Sequence, residues 1–352
     1  MMHLAVSEDD IAKAESLVAR VGKDYADSAM FAVAKGDSAT VARLLVEARD
    51  SANIFLLLNA AWQIGEWLER PASAEPFARA AAARPERQSR ANLTLADNLV
   101  SQGRWTAADS AYAVAIRTGA DGWPRLARAL TATLPFLAVP HTELEAIRAD
   151  LSAWDPARDS PATVTSNAGL LPHVRLYALG LLASRLGEPT AALRAAGQLE
   201  AAPAGDEFAP ALRALAAAVR ADVAIAGRRP ADAVGALAVV RGAVPLDLSG
   251  MSPFSEDYAR LLRGEALLAL GNDDEALRWL DNGFAATPEE MVYRAQVSLR
   301  LGDIYERKGE RQRAIDEYAR FVRLWTGCDA RLRPAVEDAR ARLARLTGEP
   351  RT

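Results

Sequence analysis

One cysteine, three histidines, two carboxylate pairs and a glycine–lysine step are the residues of this 352-residue sequence whose types could do chemistry. Cys328 lies in the turn Thr326-Gly327-Cys328-Asp329 with no histidine near it in sequence, so a base to activate a thiolate nucleophile is missing. His3, His141 and His173 are scattered, two of them beside prolines, and none has partners at metal-ligand spacing. Asp273-Asp274 and Glu289-Glu290 could act as acid and base. Both pairs, however, stand just before a helical pattern, where negative charge complements the helix dipole. Gly22-Lys23 is not a phosphate loop, because Leu17 stands where the upstream glycine belongs. The zinc-protease His-Glu-x-x-His, the Gly-x-Ser-x-Gly elbow and the kinase signatures His-Arg-Asp and Asp-Phe-Gly do not occur in the sequence. No catalytic residue, metal site or cofactor is expected.

The elements that would have to position any site are helices. Half of the sequence is hydrophobic and alanine dominates that half, while aromatics make up 6%. Alanine loses no side-chain entropy in a helix and lets helices approach closely. The net charge is −4 and Arg alternates with Asp and Glu, so the clustered cations of a nucleic-acid surface are lacking. No stretch approaches the ~20 apolar residues of a membrane span, and the start Met1-Met2-His3-Leu4 lacks a signal-peptide layout. A lone cysteine fits a reducing compartment. A cytoplasmic location is expected, with no nucleic-acid or membrane partner. The abrupt opening suggests the tail of a longer protein, with a partner domain in cis.

A single ruler recurs along the chain. Gly302 is followed by Gly309, Ala314, Tyr318 and Phe321, and Gly264 by Gly271, Ala276, Leu280, Gly283 and Pro288. Gly180 leads to Gly187, Ala192, Ala196 and Leu199, and Ala96 to Gly103, Ala108, Tyr112 and Ala115. Ala221 leads to Ala233, Leu237, Val240 and Pro245, with the turn glycine, Gly227, one residue early. Ala29 leads to Gly36, then Val41 in place of the small residue; a weaker copy runs from Trp62 through Ala74, Ala78 and Ala81. Small residues midway along two successive helices mark where antiparallel helices cross. The glycine between them ends the first helix with positive φ.

Helix pairs repeated at ~34 residues are the tetratricopeptide (TPR) signature, and this arrangement resembles that family. Leu301-Gly302, Tyr305, Ala314 and Tyr318 match its Leu-Gly, Tyr, Ala and aromatic positions. Leu179-Gly180 with Ala192, and Gly264 with Leu267, Ala276 and Pro288, match in part. The opening Trp of the family is replaced by Ser298 and Arg260. The resemblance implies an all-α fold, an α-α superhelix: a TPR-like solenoid of antiparallel helix pairs with an irregular middle segment. The last third further resembles the C-terminal TPR tails of bacterial serine/threonine kinases and related signalling regulators, which implies a sensory or docking role.

The ruler fails in the middle. Trp123–Val139 reads as a helix interrupted by Pro135, and Thr142–Trp154 as a second, capped by Thr142 with Glu145 three residues on. The expected organisation is an N-terminal array over 1–154, a polar linker over 155–170, and a C-terminal array over 171–352 closed by a charged helix, Pro334–Leu346.

In the TPR family the first helix of each pair lines a concave groove. The register places Arg90, Leu93, Asp97, Tyr177, Arg185, Asp222, Tyr258, Glu265, Gln296, Asp303 and Arg307 there. The Lys and Asn arrangement that clamps a peptide carboxylate in chaperone-docking members is not among them. The expected function is a non-catalytic scaffold that binds a protein or peptide. The alternatives are an accessory array of a glycosyltransferase-like enzyme and a small-molecule sensor in the groove.

Overall fold

The structure, a computed structural model, describes residues 11–50, 53–85, 87–119, 122–156, 170–202, 208–238, 255–281 and 290–348. Among these the regular elements are all helical: α1 (Ile11–Val21), α2 (Tyr25–Lys35), α3 (Ser38–Asp50), α4 (Phe55–Glu66), α5 (Pro71–Ala82), α6 (Gln88–Ser101) and α7 (Trp105–Thr118). The chain continues through α8 (Trp123–Ala132), a 3-10 turn (Pro135–Leu137), α9 (His141–Ala153), α10 (Leu171–Arg185), α11 (Pro189–Ala201), α12 (Ala209–Ala226) and α13 (Pro230–Leu237). It closes with α14 (Ser255–Ala269), α15 (Asp273–Leu280), α16 (Met291–Arg307), α17 (Arg311–Leu324), a 3-10 turn (Ala330–Leu332) and α18 (Arg333–Thr347). The all-α fold of consecutive helix pairs expected from the ruler is present.

Seven of the pairs share one joint: α2–α3, α4–α5, α6–α7, α10–α11, α12–α13, α14–α15 and α16–α17. After the first helix one residue enters the left-handed region, and the second helix begins two residues later. In five pairs that residue is the glycine the ruler marks: Gly36, Gly103, Gly187, Gly271 or Gly309, with φ of 71, 69, 76, 76 and 74°. The amide that follows reaches back to the first helix, as from Asp37 to the Ala32 carbonyl and from Glu310 to the Tyr305 carbonyl, both 2.9 Å. This is the Schellman closure that satisfies the last carbonyls of a helix. Prolines open α5, α11 and α13, where a missing amide costs nothing.

In the other two pairs a non-glycine residue takes the strained conformation, Glu69 at φ 50° and Arg228 at φ 56°. Each stands seven residues after the start of its copy, so the geometry keeps the register even where the glycine is lost or, as with Gly227, displaced. Arg228 is exposed. Arg228→Gly is therefore expected to stabilise the protein by about 1 kcal/mol, by relieving the left-handed strain. A higher urea midpoint is the measurement; an unchanged or lower one refutes the account.

The crossings are as close as the ruler requires. Ala74, Ala108, Ala192, Ala233, Ala276 and Ala314 are fully buried, whereas Val41 is only half-buried. A Cβ placed on Gly264 would stand 2.5 Å from Leu280 Cδ2, and one on Gly302 would stand 2.7 Å from Tyr318 Cε1. Both contacts join positions sixteen residues apart, across one pair. No other side chain fits there without moving a buried neighbour.

The chain divides into two compact units. Unit 1 comprises residues up to Gly119 together with Ala285–Ala295 and Arg323–Asp329; unit 2 comprises Ala120–Phe284, Gln296–Val322 and Ala330–Thr352. Unit 1 thus joins residues far apart in sequence. Asp329 Oδ2 accepts hydrogen bonds from the Thr106 amide and hydroxyl, both 2.9 Å, and the Asp329 amide donates to the Gly103 carbonyl at 3.0 Å. A carboxylate from 223 residues downstream thereby satisfies the amino end of α7. Glu69 pairs with Arg294 at 2.8 Å in the same unit.

In unit 2, α8 and α9 form the irregular middle. Pro135 interrupts the helical run as expected, and a 3-10 turn replaces it. The cap at Thr142 does not form. Helix α9 starts at His141 with Pro140 before it and no side-chain cap, so Thr142 lies inside the first turn. Pro140, held at φ −59°, takes the cap position two residues earlier. Residue ranges 1–10, 157–169, 239–254, 282–289 and 349–352 lie outside the described residues, and with them His3, most of the expected linker, Val240, Pro245, Gly283, Pro288 and Glu289.

Candidate functional site

The first helices of two successive pairs in unit 1, α4 and α6, enclose a cavity of about 340 Å³. Phe55, Leu58 and Trp62 from α4 and Met291 from α16 supply its apolar surface. Arg90, Thr94, Asp97 and Asn98 from α6 and Glu66 from α4 supply the polar groups. Two expected groove residues, Arg90 and Asp97, therefore line one cavity. The Arg90 guanidinium stands 5.9 Å over the Phe55 ring, and Arg87 stands 5.0 Å over the same ring. Asp97 accepts a 3.1 Å hydrogen bond from the Tyr112 hydroxyl. Asn98 Nδ2 donates to the Pro71 carbonyl at 3.0 Å. Two polar groups of the wall, Asp97 and Asn98, are thus held in place by partners behind them. Trp62 Nε1, buried here, has no hydrogen-bond partner among the described residues.

Leu93 is half-buried in α6 of unit 1, and the remaining expected residues lie in unit 2. Tyr177 and Tyr258 are fully buried, and Asp222 and Gln296 nearly so, rather than standing exposed along a groove. The reason is a pairing that the register alone did not reveal. An acidic residue follows the crossing position in four copies, as Asp97, Asp222, Glu265 and Asp303, and three of these accept hydrogen bonds from tyrosine hydroxyls. Tyr112 serves Asp97, Tyr318 serves Asp303 at 2.9 Å, and Tyr258, from the next pair, serves Asp222. Tyrosine rings fill the space between helices while their hydroxyls reach the carboxylates.

From Glu265 onward the acids join a polar seam. Glu265 pairs with Arg300 at 2.7 Å and accepts from Gln296 at 3.3 Å; Arg300 reaches Asp303 at 3.5 Å. Burial disfavours the Arg300 cation, but Glu265 and Asp303 outweigh it and hold its pKa above the ordinary value. Asp303 also pairs with Arg342 of α18 at 2.9 Å, and Glu306 with Arg345. Two arginines of the charged closing helix thus turn back onto the preceding pair. Arg307, the last groove candidate, is exposed and makes a bidentate pair with Asp273 at 2.7 and 2.8 Å.

Arg185, Asp222, Glu265 and Gln296 meet around a smaller cavity of about 170 Å³, with Arg300 and the apolar Phe136 and Leu261. Desolvation by burial raises the Asp222 pKa, against the opposing effects of the nearby Ser184 hydroxyl, Tyr258 and Arg185. The Tyr258 and Tyr177 hydroxyls are raised too, first by burial and then by the Asp222 charge. Sequence reasoning missed Arg300, Ser184 and the cavity residues from α4, whose types carry no spacing signal.

Among the described residues no group of three or more His, Cys, Asp or Glu could hold a metal ion. None of the described helices is long and apolar enough to cross a membrane. His173 is half-buried in α10, and burial lowers its pKa. Cys328 is buried in its turn. Compared with known families and curated proteins, the chain matches no family model and no curated sequence.

Proposed function

We propose that this chain is a non-catalytic, TPR-like interaction scaffold that holds a peptide segment of a partner protein, as a docking part of a signalling system. The observation that carries this reading is the 340 Å³ cavity between first helices α4 and α6. Its apolar floor suits one anchoring side chain of a peptide, and Arg90 and Asp97 flank it with opposite charges that suit the adjoining backbone or polar side chains. Peptide recognition concentrates its energy in such desolvated anchors. The docking role in signalling draws its support from the resemblance of the last third to signalling-protein tails.

Selection of a random peptide library on the immobilised protein is expected to enrich sequences sharing one apolar residue. Thr94 stands on the cavity wall and is only half-buried, so Thr94→Trp fills the cavity from the α6 side. That variant is expected to bind the selected peptides at least ~10-fold more weakly in fluorescence anisotropy, about 1.4 kcal/mol. An absence of enrichment, or peptides that bind Thr94→Trp as tightly as the original protein, overturns the reading.

A further inference from the structure

The second cavity carries a separate site, independent of the peptide reading. Asp222 lines it and is 4% exposed, and its Oδ1 is occupied by the Tyr258 hydroxyl. Its Oδ2 has no hydrogen-bond partner among the described residues. The same is true of Arg185 Nε, on the wall of the cavity, and of the Ser184 and Tyr177 hydroxyls beside Asp222. The Ser184 hydroxyl is near enough to favour the Asp222 anion, yet it makes no hydrogen bond of normal geometry to Asp222 Oδ2.

Buried polar atoms without partners are costly, and two of these four, on Asp222 and Arg185, belong to side chains that line the cavity. The other charged groups on the wall are already saturated by one another, Glu265 against Arg300 at 2.7 Å. Of the four unpartnered atoms, the two that belong to side chains lining the cavity are one acceptor, Asp222 Oδ2, and one donor, Arg185 Nε. A molecule seated between them must offer a donor to the first and an acceptor to the second. The wall holds two cations, Arg185 and Arg300, and two anions, Asp222 and Glu265. A ligand without net charge preserves that balance. A volume of about 170 Å³ admits a small molecule and no peptide segment. Phe136 and Leu261 leave room for a short apolar substituent.

We infer that this cavity is a binding site for a small zwitterion of the α-amino-acid class, its ammonium on Asp222 and its carboxylate on Arg185. Burial of an ionised Asp222 is a cost to the fold. A carboxyl whose pKa is raised on folding contributes stability at low pH that is lost as pH rises. Asn at this position keeps an acceptor for Tyr258 without that cost, so Asp222→Asn separates a binding role from a structural one.

Thermal unfolding and calorimetric titration of the whole chain with glycine, L-alanine, L-valine and L-leucine test the assignment, with acetate and ethylamine as the two half-ligands. At least one amino acid at 10 mM is expected to raise Tm by about 2 °C or more, and neither half-ligand to do so. Asp222→Asn is expected to melt at or above the temperature of the original protein and to lose the response, and Arg185→Gln to lose it as well. The inference is overturned if no amino acid shifts Tm, if acetate or ethylamine alone gives the full shift, or if both variants keep the response.

Discussion

Gly302→Leu is expected to destabilise the protein by about 4 kcal/mol. A Cβ alone at this site would stand 2.7, 2.8 and 3.1 Å from three carbons of the Tyr318 ring. That ring cannot swing aside. It is fully buried, and its hydroxyl stands 2.9 Å from the carboxylates of both Asp303 and Glu306, sharing its one proton with them, and accepts from Arg342 at 3.1 Å. Overpacking a helix crossing costs about 1–3 kcal/mol, and breaking hydrogen bonds to charged groups adds about 1.5–3. Gly197, in α11, makes the matching control, because a Cβ there meets nothing within 4 Å. Gly197→Ala is expected to stabilise by about 0.5–1 kcal/mol, through helix propensity alone. Urea unfolding followed by circular dichroism reads both. Equal and small effects at the two glycines would mean that the crossing is not where the ruler puts it.

Gly103→Ala is the second large effect, at about 3 kcal/mol. Two costs coincide at this residue. Its φ of +69° costs a side chain about 1–2 kcal/mol. The added Cβ would also meet Cys328 Cβ at 2.9 Å and Trp325 Cδ2 and Cε2 at 3.1 and 3.2 Å. Gly36, Gly187, Gly271 and Gly309 share the conformation but have nothing within 4 Å of such a Cβ. Alanine at those four isolates the backbone contribution, and the excess at Gly103, about 1–2 kcal/mol, measures the contact. A second readout is the thiol itself. Cys328 is the only cysteine of the chain and is buried, so its reaction with a thiol reagent is expected to accelerate at least ~10-fold in Gly103→Ala. A thiol as slow to react as before would show that the contact yields without opening.

Much of this fold was legible because the ruler encodes local physics. Five turn glycines, the alanines buried at the crossings and the proline starts all follow from constraints that act within about forty residues. Glu69 and Arg228 show the limit of reading residue type. Both hold the left-handed position without glycine, and only the count of residues from the start of each copy marks them. Thr142 failed as a cap because Pro140 fixes the chain's entry two residues earlier. The candidate site was legible in part for the same reason. Register placed Arg90, Asp97, Arg185, Asp222, Glu265 and Gln296 along one groove, whereas Arg90 and Asp97 line one cavity and the other four line a second. It could not show that Tyr258 and Asp222 would pair across helix pairs, nor that Met291 would close a cavity opened by Phe55 and Trp62. Those contacts depend on how successive pairs rotate against each other, which no periodicity encodes.

The Asp329 contact has a consequence for biosynthesis. Thr106 leaves the ribosome long before its partner, because 223 residues separate the two. At about 5–20 residues per second, on the order of ten to forty seconds pass before Asp329 is made. For that interval the amino end of α7 has only solvent to satisfy it, and the face of Gly103 lacks the Trp325 and Cys328 cover. Unit 1 therefore cannot reach its final packing in the order in which its helices emerge, and its completion is a late, post-synthetic step even though most of it is translated first.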